Sequence, residues 1–524
     1  MKNINPKAIT IKKALCPFCS YGCEFGVVYD DFGIKGVEYA KDGSSGGRLC
    51  PRGSAAAMYL NHPRRLAVPM KGGKPVAWAK MKKDLAKVFG SPKSTAVTFD
   101  RNVTPEEYAA IVGFCEKAGI ENIASTYFEP ESHLEPFLDE PFAVSDLQRT
   151  QLVVILGDPF NQTPMVSQAI IDWKLKDRKN VLIVIDSLST HTAGFADQFL
   201  RVNVGTEPLL LFALAQKEFE GIDTAKVTGI DRATIKDVSR RIKDSKNGIV
   251  FACLSFGHTY DPALCAEGIS ELVGYGRMKI VPLVEFAGYQ GNRGFGSIME
   301  MAKKKKIKYL VNFGELFPFY YPQVAPDLKN LEIYATSTLK HSGYTMVPVP
   351  LALEKEGTVY TSFGKKKLLG GIEPPSGARS IEEIFGHLSG GSGKGKQLSV
   401  PDHKLDVKER ARRLSEMTLA KKKGLRLMGE KIAFNFLGFF EEASLKMNPA
   451  DAAELNIASN DVIKVTSKQG VEHMPVSLTE DVSPGVVAVP AETPGARKLF
   501  EYDIDADLRS VNFIPTEVKI CREE

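Results

Sequence analysis

The sequence predicts an α/β protein in which parallel strands alternate with the helices that cover them. Residues 152–157 form an uninterrupted apolar strand, which is typical of a parallel sheet with both faces covered. A helical stretch over residues 165–176 and a second apolar strand over residues 181–186 follow, in the order of a βαβ unit. After residue 425 the pattern changes to short strands separated by turns, which predicts a separate C-terminal β domain.

The elements before this unit follow the same alternation. Residues 80–89 carry apolar side chains at helical spacing, and residues 94–99 have the pattern of a buried strand. A second helix is predicted over residues 105–117, because Thr104 is a good N-cap and Pro105 suits the first turn. The alternation continues with helices over residues 235–242 and 266–274 and a strand over residues 248–254.

Length and composition describe a protein of several ordinary globular domains. The 524 residues exceed what one hydrophobic core usually supports, and 43% apolar with 25% charged residues is a globular composition. The net charge of +5 includes no domain-wide basic excess, so a general nucleic-acid-binding role is excluded. No long apolar run occurs, and residues 1–14 have the pattern of neither a secretory signal nor a membrane anchor. These features predict a cytoplasmic protein without membrane insertion.

The eight cysteines divide into one close group and four scattered residues. With the spacing Cys-x2-Cys-x3-Cys-x26-Cys, the group comprises Cys16, Cys19, Cys23 and Cys50. Soft thiolates in a set of four suit a [4Fe–4S] cluster or a zinc ion. Three ligands on one short loop favour the cluster, because structural zinc sites more often use two separated Cys-x2-Cys pairs. The other four cysteines, Cys115, Cys253, Cys265 and Cys521, are expected to be reduced and unligated thiols. Such thiols are typical of a protein in the reducing cytoplasm.

The residues between the third and fourth cysteines explain how the last ligand can return to the loop. Two short strands over residues 25–29 and 34–39 are joined by a glycine-containing turn, and a flexible stretch over residues 42–47 follows. Arg52, two residues past Cys50, is then expected at the edge of the site, where its permanent charge can bridge to an anionic group. The alternative for Arg52 is an ordinary surface cation.

Residues 49–53 read Leu-Cys-Pro-Arg-Gly, and residues 61–70 read Asn-His-Pro-Arg-Arg-Leu-Ala-Val-Pro-Met. Together with the cysteine spacing, these two segments resemble the N-terminal region of proteins of the molybdopterin oxidoreductase superfamily. This superfamily includes formate dehydrogenases and the cluster-bearing large subunit of respiratory complex I. The resemblance implies a small [4Fe–4S] module, two doubly wound α/β domains and a C-terminal β-barrel like the molybdopterin dinucleotide-binding domain. The implied boundaries are residues 1–67 for the cluster module, 68–145 with 276–400 for one α/β domain, 146–275 for the Rossmann-like one and 425–524 for the barrel.

The same resemblance implies a dinucleotide–pterin site in the Rossmann-like domain. The retained candidate cofactor contacts are Gly157, Asp186, Thr206 and Glu207. Ser187-Leu188 stands where the family has Pro-Arg, and Glu207 where it has Asp, so the phosphate and guanine contacts are eroded. Asn292, in a glycine-rich loop, is a further candidate contact, with an ordinary connecting loop as the alternative. The resemblance thus implies molybdopterin guanine dinucleotide as a possible cofactor. The departures at residues 187, 188 and 207 argue against its binding.

In metal-bearing relatives a residue corresponding to the stretch 123–133 binds molybdenum or tungsten, but this stretch contains no cysteine. By the resemblance, Ser132-His133 could imitate the Cys-His pair of formate dehydrogenases, and Glu131 is a further candidate ligand. Catalytic residues stay unassigned, with Ser132, His133 and Arg52 as the candidates and His133 as a proton-transfer group. The alternative is that this stretch is a surface loop.

These features predict an iron–sulfur electron-transfer subunit of a multi-subunit cytoplasmic oxidoreductase, with a vacant pterin site. The short, aromatic segment 431–447 agrees with this prediction, because it suits packing against protein better than enclosing a dinucleotide, with an ordinary core segment as the alternative. One alternative is a catalytic molybdenum or tungsten bis-pterin subunit like formate or formylmethanofuran dehydrogenase, and another is a zinc-bound, non-redox assembly scaffold. The expected partners are flavin-bearing or ferredoxin-type iron–sulfur subunits. Basic runs that could dock an acidic partner, or simply be solvated, are residues 303–306, 365–367 and 421–423.

Overall fold

The N-terminal module is a small antiparallel sheet followed by two short helices. The structure, a computed structural model, describes residues 9–138, 141–285, 294–389, 405–420, 424–433 and 444–523. Strands Thr10–Leu15, Glu24–Asp30 and Gly33–Tyr39 pair in chain order, and the predicted hairpin is confirmed. Helices Pro51–Ser54 and Ala56–Leu60 follow directly after Cys50.

The first large sheet is wholly parallel. Its strands, in spatial order, are Gln198–Arg201, Val181–Asp186, Leu152–Leu156, Ile249–Ala252 and Lys279–Pro282. The strand order reverses between Leu152–Leu156 and Ile249–Ala252, and ligands of open α/β sheets bind beyond the carboxyl ends of strands at such a point. Lys279–Pro282 lies past the boundary predicted at residue 275 yet pairs in this sheet. The helices of this region are Pro159–Gln162, Pro164–Lys176, His191–Gly194, Glu207–Leu214, Thr224–Thr228, Arg232–Asp244 and Pro262–Gly276.

The second large sheet combines two distant parts of the chain. Its strands, in spatial order, are Lys74–Pro75, Met70–Lys71, Thr345–Pro348, Glu332–Ser337, Tyr309–Phe313, Thr95–Phe99 and Asn122–Ser125. The last five are mutually parallel. The associated helices are Trp78–Phe89, Pro105–Ala118, Phe295–Lys303, Phe317–Tyr320 and Ile381–Ser389. Thr104 caps Pro105–Ala118 as predicted, in a reciprocal capping box with Glu107.

The C-terminal region forms the predicted β-barrel. The closed barrel consists, in order, of Leu425–Glu430, Val486–Pro490, Leu445–Met447, Val471–Leu478, Val462–Thr466 and Thr516–Arg522. Helices Val407–Leu419, Pro449–Glu454 and Pro494–Arg497 flank it, with a strand pair Tyr502–Ile504 and Val511–Phe513. A separate hairpin, Glu356–Thr361 with Gly364–Leu369, lies beside the first strand of the N-terminal module. Short 3-10 helices occupy Pro92–Ser94, Pro130–Phe137, Val144–Arg149, Pro322–Leu328 and Ala352–Glu354.

Shared hydrophobic cores hold these units together. Phe25 and Val27 of the N-terminal module pack in one core with Val153 and Phe251 of the first sheet. The barrel and the second sheet share another core. The two large sheets with their helices confirm the predicted α/β class, and the closed barrel confirms the predicted C-terminal β-barrel. Within the described ranges, no helix is both long enough and apolar enough to cross a membrane.

Candidate functional site

The four grouped cysteines come together at the end of the N-terminal module. Cys16, Cys19 and Cys23 lie on the loop between the first two strands, and Cys50 precedes helix Pro51–Ser54. All four are buried. The N–H of Cys16 donates to the carbonyl of Cys23 at 2.7 Å, which closes the loop, and Gly22 supplies the positive φ of +61° that the turn requires.

Two other parts of the chain hold this cysteine loop in place. The N–H of Ser20 donates to the carbonyl of Val284 at 2.8 Å, just past the last strand of the first sheet. The N–H of Ser362, in the turn of the separate hairpin, donates to the carbonyl of Ser20 at 2.7 Å. The hydroxyl groups of Ser20 and Ser362 are 2.9 Å apart. The loop geometry is thus set by residues that are remote in sequence.

The thiols of this group lie near one another in the structure. Burial raises the pKa of Cys16, and the charges of Cys23, Cys19 and Cys50 raise it further, so the four thiols are electrostatic neighbours. A [4Fe–4S] cluster and a zinc ion would each use four such thiolates.

Arg52 is a buried residue next to the cysteines rather than a surface cation. Its guanidinium donates to the carbonyl of Asn161 at 3.1 Å and to that of Gln162. Burial raises the pKa of Cys19, and the charge of Arg52 opposes that rise. Arg52 also lines a cavity with Phe18, Tyr59 and other residues. The structure therefore puts Arg52 between the cysteine loop and an interior cavity.

The stretch predicted to supply a metal ligand is buried, so the surface-loop alternative is wrong. Glu131, in the 3-10 helix Pro130–Phe137, is 1% exposed. Its carboxylate accepts hydrogen bonds from the Tyr127 hydroxyl at 2.7 Å, from the Glu285 N–H at 2.6 Å and from the Gln162 amide. The protein itself already satisfies this carboxylate on several sides.

Charged side chains surround Glu131 in what we call the central ion network. Its seven members are Arg101, Glu129, Glu131, Glu285, Lys431, Glu492 and Arg497. The Lys431 ammonium contacts Glu285 and lies 3.8 Å from Glu131 and 3.6 Å from Glu492. Arg101 also contacts Glu285 and lies 4.0 Å from Glu131.

Glu129 forms the other end of the network. It accepts from Arg497 at 2.8 Å and from the Tyr321 hydroxyl at 2.7 Å. Burial raises the pKa of Glu129, but Arg497, Lys431 and the hydrogen bond outweigh burial and bring the pKa to about 2. For Glu131, burial dominates and raises the pKa.

The sequence analysis predicted only one of the seven network members, Glu131, as a site residue. Arg101 had one usable signal: it follows a parallel strand at the carboxyl edge, where ligand-binding residues gather.

The side chains of Ser132 and His133 have different surroundings in the structure. The hydroxyl of Ser132 is buried without a hydrogen-bond partner among the described residues. The imidazole Nε2 of His133 lies 3.3 Å from the side-chain oxygen of Asn512, in the strand pair beside the barrel. The two side chains therefore have separate surroundings, unlike the paired groups that the sequence suggested.

The predicted dinucleotide contacts gather partly at the switch point of the first sheet. Gly157, Asp186 and Glu207 line a cavity of about 20 Å³, together with His258, which sequence reasoning missed for want of any motif. That volume holds about one water molecule. Thr206 is not among the lining residues and donates to the carbonyl of Asn203 at 2.7 Å. Asn292 lies outside the described residues, as do most of the glycine-rich loop and residues 434–443 of the aromatic segment.

This small cavity contains polar atoms that the described protein does not satisfy. They are one carboxylate oxygen each of Asp186 and Glu207 and the Nε2 of His258. Burial raises the pKa of Asp186 well above its usual range, raises that of Glu207 to about 7 and lowers that of His258 to about 4. Ser187, which replaces the usual proline, donates to the other Glu207 oxygen at 2.8 Å. The site thus retains acceptors, although its cavity holds only about one water molecule.

Comparisons with known proteins agree with this architecture. The molybdopterin oxidoreductase Fe4S4 domain matches residues 9–62, and the molybdopterin dinucleotide binding domain matches residues 437–512. The alpha subunit of the F420-dependent formate dehydrogenase of Methanocaldococcus jannaschii is 22% identical, over 92% of this chain and 94% of that protein. Formate dehydrogenase H of Escherichia coli is 26% identical, over 66% of this chain and 54% of that protein.

A solved structure with the same fold is acetylene hydratase from Pelobacter acetylenicus. It superposes with a TM-score of 0.73 over 98% of this chain and 100% of that chain, at 13% sequence identity. The overall fold is thus shared over nearly the whole of both chains, and the matched Fe4S4 domain supports a [4Fe–4S] cluster as cofactor. The N-terminal module and the C-terminal barrel thus match domains of the molybdopterin oxidoreductase superfamily, and the similarity to formate dehydrogenase subunits over most of the chain supports that superfamily.

Proposed function

We propose that this chain is the iron–sulfur electron-transfer subunit of a multi-subunit oxidoreductase and that its metal–pterin site is vacant. In this proposal Cys16, Cys19, Cys23 and Cys50 hold the [4Fe–4S] cluster. The observation that carries the vacancy is the central ion network, which fills the neighbourhood of the stretch where relatives bind their metal.

The energetics of the network make Glu131 a poor metal ligand. To bind a metal, Glu131 would have to use carboxylate oxygens that already accept from the Tyr127 hydroxyl, the Glu285 N–H and the Gln162 amide, and so weaken or lose some of these bonds. Each abandoned buried donor costs about 1–3 kcal/mol. Lys431, 3% exposed at its side chain, would also lose a counter-charge. Breaking a buried ion pair typically costs about 3–5 kcal/mol.

When bound, the cluster supplies one-electron transfer. The chain's own residues contribute burial and charge. The loop excludes water from the thiolates because Ser20 anchors it to Val284 and Ser362. Arg52 is a buried cation beside Cys19 and favours the anionic, ligated form of that thiolate.

Partners are inferred from the needs of a cluster and from relatives. A single cluster passes electrons on, so it needs both a donor and an acceptor. The Methanocaldococcus relative is named as an alpha subunit, which supports a hetero-oligomer here. The partners that we propose are flavin-bearing or ferredoxin-type iron–sulfur subunits. None of the eight cysteines forms a disulfide and seven of them are buried, which fits the reducing, cytoplasmic location that we propose.

Metal and pterin analysis of the anaerobically purified chain tests this proposal. We expect about four iron and four sulfide per chain, as for one [4Fe–4S] cluster. We expect no molybdenum, tungsten or fluorescent pterin after acid oxidation. Stoichiometric molybdenum or tungsten with two pterin dinucleotides would reject the vacancy, and zinc in place of iron would reject electron transfer.

A catalytic bis-pterin subunit, as in the formate dehydrogenase relatives, is the second candidate. The observation that favours it is the pair of unsatisfied carboxylate oxygens of Asp186 and Glu207 in one cavity. A guanine base offers N–H donors that such acceptors would bind. The cavity would need to open well beyond its water-sized volume, and the same pterin analysis distinguishes the two candidates.

A further inference from the structure

The hairpin strand Gly364–Leu369 turns only one of its three consecutive lysines toward the cysteine loop. Burial alternates along this strand, so Lys365 and Lys367 are exposed while Lys366 faces inward. The Lys365 ammonium lies 5.0 Å from the centre of the Tyr360 ring. The Lys367 ammonium lies 2.7 Å from the Thr358 hydroxyl and 3.4 Å from Glu106. The run 365–367 is therefore not a uniform docking patch.

Lys366 is held against the cysteine loop by several contacts. Its ammonium donates to the carbonyl of Gly22 at 3.0 Å, one residue before Cys23, and to the hydroxyl of Ser44 at 3.1 Å. Its methylene stem packs on Gly22, 3.6 Å from the position that a Cβ would occupy there. Glu24 is its ion-pair partner at 3.1 Å. The Lys366 side chain is only 19% exposed, so solvent screens its charge poorly.

Two cations therefore influence different cysteines of the group. Burial raises the pKa of Cys23, and Lys366 is a charge that opposes the rise. Arg52 has the same effect on Cys19. Arg52 lies two residues past Cys50, whereas Lys366 reaches the loop from a hairpin more than 300 residues later in the chain.

We infer that Lys366 raises the reduction potential of the cluster, and that Glu24 partly offsets this effect. The inference rests on the proposed function, namely that the four cysteines hold a [4Fe–4S] cluster. Reduction adds one electron and hence one negative charge to the cluster. A cation held nearby stabilises the reduced form more than the oxidised form, and an anion does the opposite. Charge, hydrogen bonding and exposure are the levers by which proteins set cluster potentials.

The test is a redox titration of the purified full chain, followed by the EPR signal of the reduced cluster. In Lys366→Met we expect the equilibrium constant for reduction to fall about three- to tenfold, as for a partly screened unit charge. A tenfold fall corresponds to a shift of about 59 mV for a one-electron couple. Lys366→Arg should restore the potential, and Glu24→Gln should shift it in the opposite direction. Lys367→Met, on the same strand but facing outward, is the matched control and should leave the potential unchanged.

Several outcomes would overturn the inference. Equal potentials in wild type and Lys366→Met, with full iron content in both, would reject it. If Lys366→Met loses its iron, Glu24→Gln still carries the test, because it keeps the lysine and must raise the potential. A shift of the same size in Lys367→Met would also reject it, since the effect would then not depend on the inward position. Wild-type protein without iron or sulfide would instead reject the proposed function.

Discussion

Replacing Lys431 by methionine is a direct test of the central ion network. Methionine keeps much of the volume of the side chain but removes the charge that Glu131, Glu285 and Glu492 share. Because the Lys431 side chain is only 3% exposed, the abandoned carboxylates stay largely out of water. Removing one partner of a buried pair typically destabilises a protein by about 3–5 kcal/mol.

The loss should also depend on pH in a defined direction. Burial already raises the pKa of Glu131, and Lys431 is the main charge that holds it down. Without Lys431 the folded-state pKa rises further above that of the unfolded chain. Between those two pKa values the folded protein binds a proton that the unfolded chain lacks, so stability falls by about 1.4 kcal/mol per pH unit as pH rises. The variant should therefore be less impaired at pH 5 than at pH 8.

The assay is urea unfolding of wild type and Lys431→Met at pH 5 and pH 8, followed by tryptophan fluorescence. Lys468→Met is the matched control, because the Lys468 side chain is 81% exposed and pairs with Glu501 at 3.3 Å. A surface pair of this kind contributes about 0–1 kcal/mol. A loss at Lys431 no larger than that at Lys468, or a larger loss at pH 5 than at pH 8, would refute the network as a buried, mutually compensated group. Iron content should be unchanged in both variants.

Two further predictions concern the cysteine loop and the small cavity. Cys19→Ser should lower iron and sulfide content and destabilise the N-terminal module, because metal binding contributes to its folding; full iron content would contradict Cys19 as a ligand, and Cys115→Ser is the control. For Glu207, the pKa of about 7 in the folded state lies above its usual 4.5. Ionisation of this buried carboxyl therefore lowers the free energy of unfolding progressively as pH rises from about 4.5 to 7. Glu207→Gln should therefore stabilise the protein by roughly 3 kcal/mol at pH 8 and little at pH 5, measured as the shift of the urea midpoint. A gain that is equal at both pH values would contradict burial as the cause.

Much of the candidate site could not be found along the sequence, for a geometric reason. Glu129 and Arg497 are 368 residues apart, and each alone has the sequence context of an ordinary loop or helix residue. Their pairing depends on how the second sheet meets the barrel. The same holds for Lys431, which begins a largely aromatic and apolar segment and whose acidic partners come from distant parts of the chain.

The stretch around Ser132 shows how little the local sequence says about a residue's surroundings. The resemblance predicted a metal ligand in this stretch, and the alternative was a surface loop. The structure has neither an exposed loop nor a free carboxylate there, because Phe128 and Leu134 bury the segment and Glu131 is already bonded. Burial depends on which elements cover a segment, and local sequence does not contain that information.

What the sequence by itself determined is the local chemistry. The spacing of Cys16, Cys19, Cys23 and Cys50 defines a four-thiolate group, and apolar strand patterns define the α/β class, because both depend on neighbours within a few residues or on simple periodicity. Only the tertiary structure decided which charges face those thiols and what fills the interior beside them. Strand periodicity predicts that Lys366 faces opposite to Lys365 and Lys367, but which side meets the cysteine loop depends on how the hairpin packs.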